Sequence, residues 1–418
     1  MASNEKTIYV YADWANQSPA LIGRLYVHTS RGRELFSFEY SSDWIRKVDV
    51  SFVFDPDLHL YEGRQYTPDK PLFGVFSDSC PDRWGRLLMK RKEEILARKE
   101  NRKPEVLSES DFLLGVFDET RSGALRFSLE EHGPFLSAEK DLPAPPWTTL
   151  RSLESASLAF ESDEGGQDEK WLKQLLAPGS SLGGARPKAS IKAPDGALWI
   201  AKFPSRNDEW NSGAWEAVVH DLAAKCRLNV PEAKLETFSD TGSTYLAKRF
   251  DRTGDRRIHF SSAMTLLGKT DGADAGDASY LDIASFIRSN GVSPKQDLKE
   301  LWERVVFNIA VSNTDDHLRN HGFLLTEYGW TLSPMYDVNP DIYGNALSLG
   351  VSENDNSMSF ELVIDTAKYY DININDAKSI VACIQNTICD NWRTIAAKYG
   401  LSKESINRME PAFAMEYK

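Results

Sequence analysis

Cysteine is scarce and scattered in this chain. The four residues at 80, 226, 383 and 389 form no C-x-x-C pair, so neither a zinc framework nor a disulfide scaffold is expected. Cys226, Cys383 and Cys389 fall in apolar, helical-looking stretches and are expected in the core. Long apolar runs are missing too. No segment approaches the roughly 18 residues of a membrane span. Met1 to Thr7 is polar and carries no apolar stretch of a secretion signal. The expectation is a soluble, cytoplasmic protein with no membrane partner.

Positive charge is short: the net charge is −13. A protein that grips nucleic acid unaided carries a basic patch or stripe. The strongest basic run, from Lys90-Arg91-Lys92 to Lys103, is broken by Glu93, Glu94 and Glu100 and reads as a solvated helix face. There is no Walker Gly-Lys-Ser/Thr string, no dinucleotide fingerprint and no internal repeat.

What is present is a globular balance of 41% hydrophobic and 27% charged residues, with 11 Trp, 15 Tyr and 20 Phe. Over 418 residues this suffices for a sizeable core without staples. In the first part, Phe36, Phe38 and Tyr40 alternate with Ser37 and Glu39, a half-buried strand, and Ser30-Arg31-Gly32-Arg33 makes a hairpin turn before it. From Pro81 the spacing of Trp84, Leu87, Leu88 and Ile95 is helical, and Ser122–Phe127 returns to strand. The stiff run Leu142–Trp147 and the acidic stretch Glu161–Lys170 mark a boundary. Residues 175–255 read as a small mixed sheet with one helix, Trp215–Cys226. Beyond Ser279 the chain is mostly helical, with a Ser279/Asp282 capping box and a buried stripe of Ile380, Ile384, Ile388 and Trp392. Three segments are expected: 1–155, 156–255 and 256–418.

The densest polar cluster is Asn313-Thr314-Asp315-Asp316-His317-Leu318-Arg319-Asn320-His321, set between an apolar helix and an apolar strand. Phosphoryl transfer gives such a cluster a reason. A carboxylate accepts the proton of the attacking hydroxyl, and an amide oxygen five residues later ligates a metal ion. Asp315 and Asn320 have that spacing. After a hairpin through Glu327-Tyr328-Gly329, Asp337 offers a second carboxylate for magnesium, which takes one or two carboxylates together with phosphate oxygens. A solvated turn rich in Asp and Asn is the plain alternative. His317 and His321 are four apart like helical zinc ligands, but Leu318 stands where the glutamate of that motif belongs.

Phosphate contacts are expected from Ser180–Lys188. Gly183, Gly184 and Ala185 allow close backbone approach to an anion, and Arg186 and Lys188 add charge. Lys202 lies in an apolar strand and needs a partner; Glu216, on the next helix, is the expected one, in the manner of a kinase lysine–glutamate pair.

Together these blocks resemble the HipA family of serine/threonine protein kinases, the toxins of bacterial toxin–antitoxin pairs. Ser181–Lys188 is similar to the family's phosphate loop, Lys248–Arg252 to its hinge strand, Thr314–Asn320 to its catalytic loop and Tyr336–Val338 to its metal segment. Pro81–Arg86 and Gly123–Phe127 are similar to its amino-terminal region. The resemblance implies an α+β, two-lobed, protein-kinase-like fold. It has a strand-rich N-terminal lobe, an extra N-terminal subdomain and an all-helical C-terminal lobe. It implies Asp315 as base, Asn320 and Asp337 on Mg2+, and Lys202 on the phosphates of ATP, with Arg249 and Phe250 near the adenine. Ser181, or Ser180 beside it, would be autophosphorylated to switch the enzyme off, since a phosphate adds about 1.5–2 negative charges. Gly268–Ala278 would be an activation segment. Arg319 stands where the family's loop leads one to expect lysine. Implied partners are a small helix-turn-helix antitoxin (HipB-like), DNA only through it, and a protein substrate such as an aminoacyl-tRNA synthetase. A small-molecule or lipid phosphotransferase and a non-catalytic antitoxin-binding co-repressor are the other readings.

Overall fold

The computed structural model describes residues 5–14, 18–47, 54–136, 144–162, 175, 184, 186–270 and 278–415. The chain forms two compact units, Met1–Arg206 with Lys248–Ser261 and Asn207–Ala247 with Ser262–Lys418. These do not follow the boundaries at 155 and 255.

The first unit is built on a five-stranded antiparallel sheet. Its strands are β1 (Glu5–Ala12), β2 (Ala20–Ser30), β3 (Arg33–Tyr40), β4 (Gln65–Tyr66) and β5 (Leu125–Ser128), in the order β4-β3-β2-β1-β5. The β2–β3 turn is the one expected: Ser30 pairs with Arg33, and Arg31 and Gly32 take positive φ, the two-residue turn that matches strand twist. One face buries Ile8, Val10, Leu25, Val27, Phe36 and Phe38. Helices α1 (Arg83–Lys99), α2 (Glu109–Gly115) and α3 (Leu150–Glu161) belong to the same unit. Asp82 caps α1 by accepting from the Gly85 N–H at 2.8 Å. The basic run on α1 and just beyond it is solvated as expected, and it is paired as well, Arg91 to Glu94 and Arg102 to Glu93 and Glu100. A hairpin of β6 (Lys188–Lys192) and β7 (Leu198–Lys202) turns at Gly196, whose φ is +87°.

The second unit starts with α4 (Ser212–Lys225), capped by Asn211, and the antiparallel pair β8 (Ala233–Ser239) and β9 (Gly242–Lys248). Then come α5 (Tyr280–Asn290) and α6 (Pro294–Val311). The Ser279/Asp282 capping box opens α5, with the Ser279 N–H donating to the Asp282 carboxylate at 2.8 Å. One hairpin, β10 (Gly322–Thr326) with β11 (Gly329–Leu332), interrupts the helical C-terminal part. The longest helix, α7 (Ile374–Lys398), buries Val381, Ile384, Ile388, Trp392 and Ile395. Trp392 stacks on Phe413 at 4.6 Å, and both rings meet Trp215 of α4.

The cysteines depart from expectation. Cys80 is buried, whereas Cys383 and Cys389 are exposed and Cys226 is half-buried. Cys383 precedes Ile384 and Cys389 follows Ile388, so the helical turn points both away from the buried stripe.

Arg249 was expected near a nucleotide. Its guanidinium is instead buried in the first unit, donating to Asp251 at 2.6 and 2.9 Å and to the carbonyls of Thr120 and Arg121 at 2.6 and 3.1 Å. Arg252 reaches the same carboxylate at 2.9 Å and the Arg121 carbonyl at 2.7 Å, and the Gly123 N–H donates to Asp251 at 2.8 Å. The segment after β9 is thereby fastened to residues 120–123. Burial alone would raise the Asp251 pKa, but Arg249 and Arg252 hold it well below the usual carboxylate range. A carboxyl depressed on folding stabilises above its unfolded pKa of about 4 and loses that contribution as pH falls. Asp251→Ala would strand two buried cations. It is expected to cost about 3–5 kcal/mol in urea unfolding at pH 7, with a smaller difference from wild type in strong acid.

Candidate functional site

The site grows from the C-terminal end of α6. Val305, Val306, Phe307, Ile309, Ala310 and Val311 are all buried, and Asn308 sits among them fully buried. A buried amide must be satisfied. The Asn308 Nδ2 donates to Asp316 Oδ2 at 2.7 Å, and its Oδ1 accepts from Asn313 Nδ2 at 3.2 Å. Ser312 ends the helix in the left-handed region, φ 52°, which turns the chain back into the polar loop. Its hydroxyl donates to the Ala412 carbonyl at 2.9 Å.

Two adjacent carboxylates then part company. Asp316 is buried, and its Oδ2 accepts from Tyr280 OH of α5 at 2.6 Å, Asn308 Nδ2 at 2.7 Å and His321 Nε2 at 2.8 Å. Asp315 is exposed. Partial desolvation raises its pKa, opposed by His317 and reinforced by the carboxylates of Asp337, Asp316 and Asp341. Its backbone carbonyl accepts from Asn320 Nδ2 at 3.1 Å. That bond assigns the nitrogen side of the Asn320 amide and leaves its oxygen as an acceptor. The short turn Leu318–Asn320, closed by the Asn320 N–H on the His317 carbonyl at 2.8 Å, sets this five-residue reach.

The β10–β11 hairpin turns at Gly329, φ +136°, and returns the chain toward Asp337. Tyr336 OH donates to the Arg319 carbonyl at 2.7 Å, which ties the two segments. Asp337 itself is half-buried with φ 59°, a conformation unusual for a residue other than glycine. It lines a small cavity of about 20 Å³ with Glu216, His220, Tyr245 and Tyr336, room for about one water. Burial raises the Tyr245 pKa well above its ordinary value, and Glu216 and Asp337 add to this. Glu216 and Asp337 thus line one recess. The Asn320 amide oxygen and the carboxylates of Asp337 and Glu216 are hard oxygen ligands of the kind magnesium takes. Among the described residues no three His, Cys, Asp or Glu side chains gather as a metal cage. His321 has its Nε2 on Asp316 rather than on a zinc position.

A second strap supports the loop. The Thr314 hydroxyl donates to Asp341 Oδ2 at 2.6 Å, the Asp341 N–H to the Ser312 carbonyl at 3.0 Å, and both the Ser348 N–H and hydroxyl to the Thr314 carbonyl. The loop is therefore gripped from α5, α6, β10 and residues 339–348. The sequence reading did not single out Tyr280, Asn308, Asp316 or Asp341. Asn308 alone had a local signal, as a lone amide in an apolar helical run.

The other expected residues lie in the first unit or outside the described residues. Lys202 closes β7 and is half-buried. Phe250 packs against Phe260 at 6.1 Å. Lys188, expected to face phosphate, is buried with its ammonium 2.9 Å from Asp82 Oδ2, because a buried cation needs a counter-charge. Gly184 takes φ +97°, and a side chain there would press on the Lys188 ammonium at 3.3 Å. Gly183, Ala185, Ser180 and Ser181 lie outside the described residues, as does most of Gly268–Ala278.

Residues 180–398, more than half of the chain, match the HipA-like C-terminal domain family. The chain belongs to that family. A relative from Sinorhizobium fredii (strain NBRC 101917 / NGR234), named "Putative kinase Y4mE", is 30% identical over 182 residues. The match covers 38% of this chain and 41% of that protein's length. HipA of Shewanella oneidensis MR-1, solved with HipB and operator DNA, superposes with a TM-score of 0.65 at 16% identity. That superposition covers 97% of this chain and 95% of the other. At that identity the likeness is one of fold, and the α+β, kinase-like fold expected from the sequence is the one found. The Helicobacter pylori proinflammatory kinase CtkA aligns with 51% of this chain at 15% identity, with a TM-score of 0.34. Among the described residues, no helix is long and apolar enough to cross a membrane.

The strap gives a direct test of the HipA-like loop. A methyl group on Gly344 would lie 2.7 Å from Asp341 Oδ2 and closer still to the Thr314 side chain. Gly344→Ala is expected to cost about 1–3 kcal/mol in urea unfolding, because Thr314 cannot yield without pulling on the backbone next to Asp315.

Proposed function

We propose that this chain is a HipA-type protein kinase that transfers phosphate from ATP to a serine or threonine hydroxyl, as the toxin of a toxin–antitoxin pair. The observation that carries the reading is the division of labour in one loop. Asp316 is buried under three donors, while its neighbour Asp315 is exposed and its proton affinity is raised. A general base works best with its pKa drawn toward the working pH. In this reading Asp315 takes the proton as the acceptor oxygen bonds to phosphorus. The bond to the leaving oxygen breaks with its electron pair going to the departing diphosphate. Asn320 and Asp337 would hold Mg2+, and Lys202 would hold the nucleotide phosphates. When bound, ATP would supply the phosphoryl group and Mg2+ would neutralise charge on it. Lys188 can join them only by leaving Asp82.

The family membership, the HipA fold and the relative named as a kinase support a kinase. Protein as the acceptor, Ser181 as a self-inhibiting site, a HipB-like helix-turn-helix antitoxin and a translation component such as an aminoacyl-tRNA synthetase as target belong to this proposal. The fold neighbour's crystal holds HipB and operator DNA. With a net charge of −13 here, DNA would be reached through the antitoxin.

Incubation with labelled ATP and Mg2+, followed by phosphopeptide mapping, tests the reading. Asp315→Ala and Asp337→Ala are each expected to lower transfer by about 10²–10⁴-fold, and wild-type self-label is expected at Ser181. Expression of the wild type should arrest growth, and that of Asp315→Ala should not. Transfer to a lipid or small molecule alone would move the assignment to another phosphotransferase. No transfer at all would leave a co-repressor subunit.

A further inference from the structure

We propose that Asp316 is a positioning residue for phosphoryl transfer, its buried carboxylate fixing the loop so that Asp315 faces solvent while Asn320 stays bonded to the Asp315 carbonyl. This deepens the kinase reading and rests on it.

The loop from Asn313 to Asn320 contains little regular structure of its own. Its internal backbone bonds are few, such as Asn320 N–H to the His317 carbonyl at 2.8 Å. Its conformation must come from side chains that reach into it. Asp316 Oδ2 is a point where three elements meet: Tyr280 on α5, Asn308 on α6 and His321 at the entry to β10. Tyr280 and Asn308 are fully buried, and Asp316 and His321 nearly so. All three donors converge on one oxygen, so the direction of the Asp316 side chain is over-determined. The chain turns at Thr314–Asp315, and across that turn Asp316 is buried while Asp315 is exposed. Fixing the Asp316 side chain inward fixes the peptide that joins it to Asp315, and with it the direction in which Asp315 leaves the turn. The same anchor holds the start and the end of the Asp315–Asn320 reach, because Asp316 follows Asp315 and His321 follows Asn320. A loop held only at its ends would let Asp315 swing, and misplacement by about 1 Å can cost about 10²-fold in rate. Nothing in the proposed reaction requires Asp316 to touch substrate or metal. Its action runs through Asp315 and Asn320.

The test compares wild type, Asp315→Ala, Asp316→Ala, Asp316→Asn and Tyr280→Phe in steady-state transfer from Mg-ATP, with kcat and KM for ATP resolved. Thermal melts fix an assay temperature at which every variant is folded. Asp316→Ala is expected to lose about 10²-fold in kcat with KM for ATP within about threefold. Asp316→Asn keeps an oxygen for the three donors and is expected to recover at least about tenfold of that loss. Tyr280→Phe removes one of three tethers and is expected to lie between wild type and Asp316→Ala. A wild-type kcat in folded Asp316→Ala, or in both Asp316→Asn and Tyr280→Phe should the alanine variant not fold, overturns the proposal. A loss confined to melting temperature or to KM does the same. Should wild type fail to transfer, or Asp315→Ala transfer normally, the kinase reading fails and the positioning role falls with it. Normal behaviour of those two controls beside an active Asp316→Ala sinks only the positioning role.

Discussion

A buried carboxylate accepting three hydrogen bonds on one oxygen organises the polar loop of the second unit. Burying a charge without donors is costly, and burying it with three is what makes a polar loop tolerable between an apolar helix and an apolar strand. Once Asp316 is turned inward, the placement of its neighbours follows. Asp315 must face out, Asn320 is drawn to its carbonyl, and His321 leads straight into β10. The strap through Asp341 and Ser348 holds the other side of the same loop. Chemistry and stability are thus assigned to consecutive residues by geometry, not by residue type.

The first unit uses the same device for a different end. Arg249, Asp251 and Arg252 form a buried charged cluster around the carbonyls of residues 120–123, and the segment beyond β9 is fixed by it. Lys188 and Asp82 are a second such pair in that unit. In both places a cation expected near the nucleotide, Arg249 by the adenine and Lys188 by the phosphates, has a carboxylate partner in the fold. For Arg249 the side chain is built in. Lys188, the first residue of β6, meets Asp82, the residue that caps α1.

Local rules made much of this legible beforehand. The turn at Arg31-Gly32, the capping box at Ser279, the β10–β11 hairpin at Gly329 and most of the stripe on α7 are short-range patterns that appear where the sequence placed them, with Ile380 half-buried and Val381 buried in the first turns of the stripe. The spacing of Asp315 and Asn320 was also legible, because five residues of loop leave few ways to close. The partners were not. Which of two adjacent aspartates is buried depends on Tyr280 and Asn308, brought from two other helices, and no local pattern encodes that. Cys383 and Cys389 were misjudged because apolar context marks a helix without saying which face is buried. The burial of the Arg249 side chain was not legible, because the Thr120 carbonyl that it reaches lies about 130 residues away in sequence.

The account stands on Asn320 and Asp337 forming, with a nucleotide, a single metal site next to Asp315. Manganese, a paramagnetic substitute for magnesium, reports this directly when titrated with a non-hydrolysable ATP analogue and followed by electron paramagnetic resonance. The account predicts nucleotide-dependent Mn2+ binding to the wild type, weakened by at least about tenfold in Asn320→Ala and in Asp337→Ala. Equal Mn2+ affinity in all three proteins would contradict it.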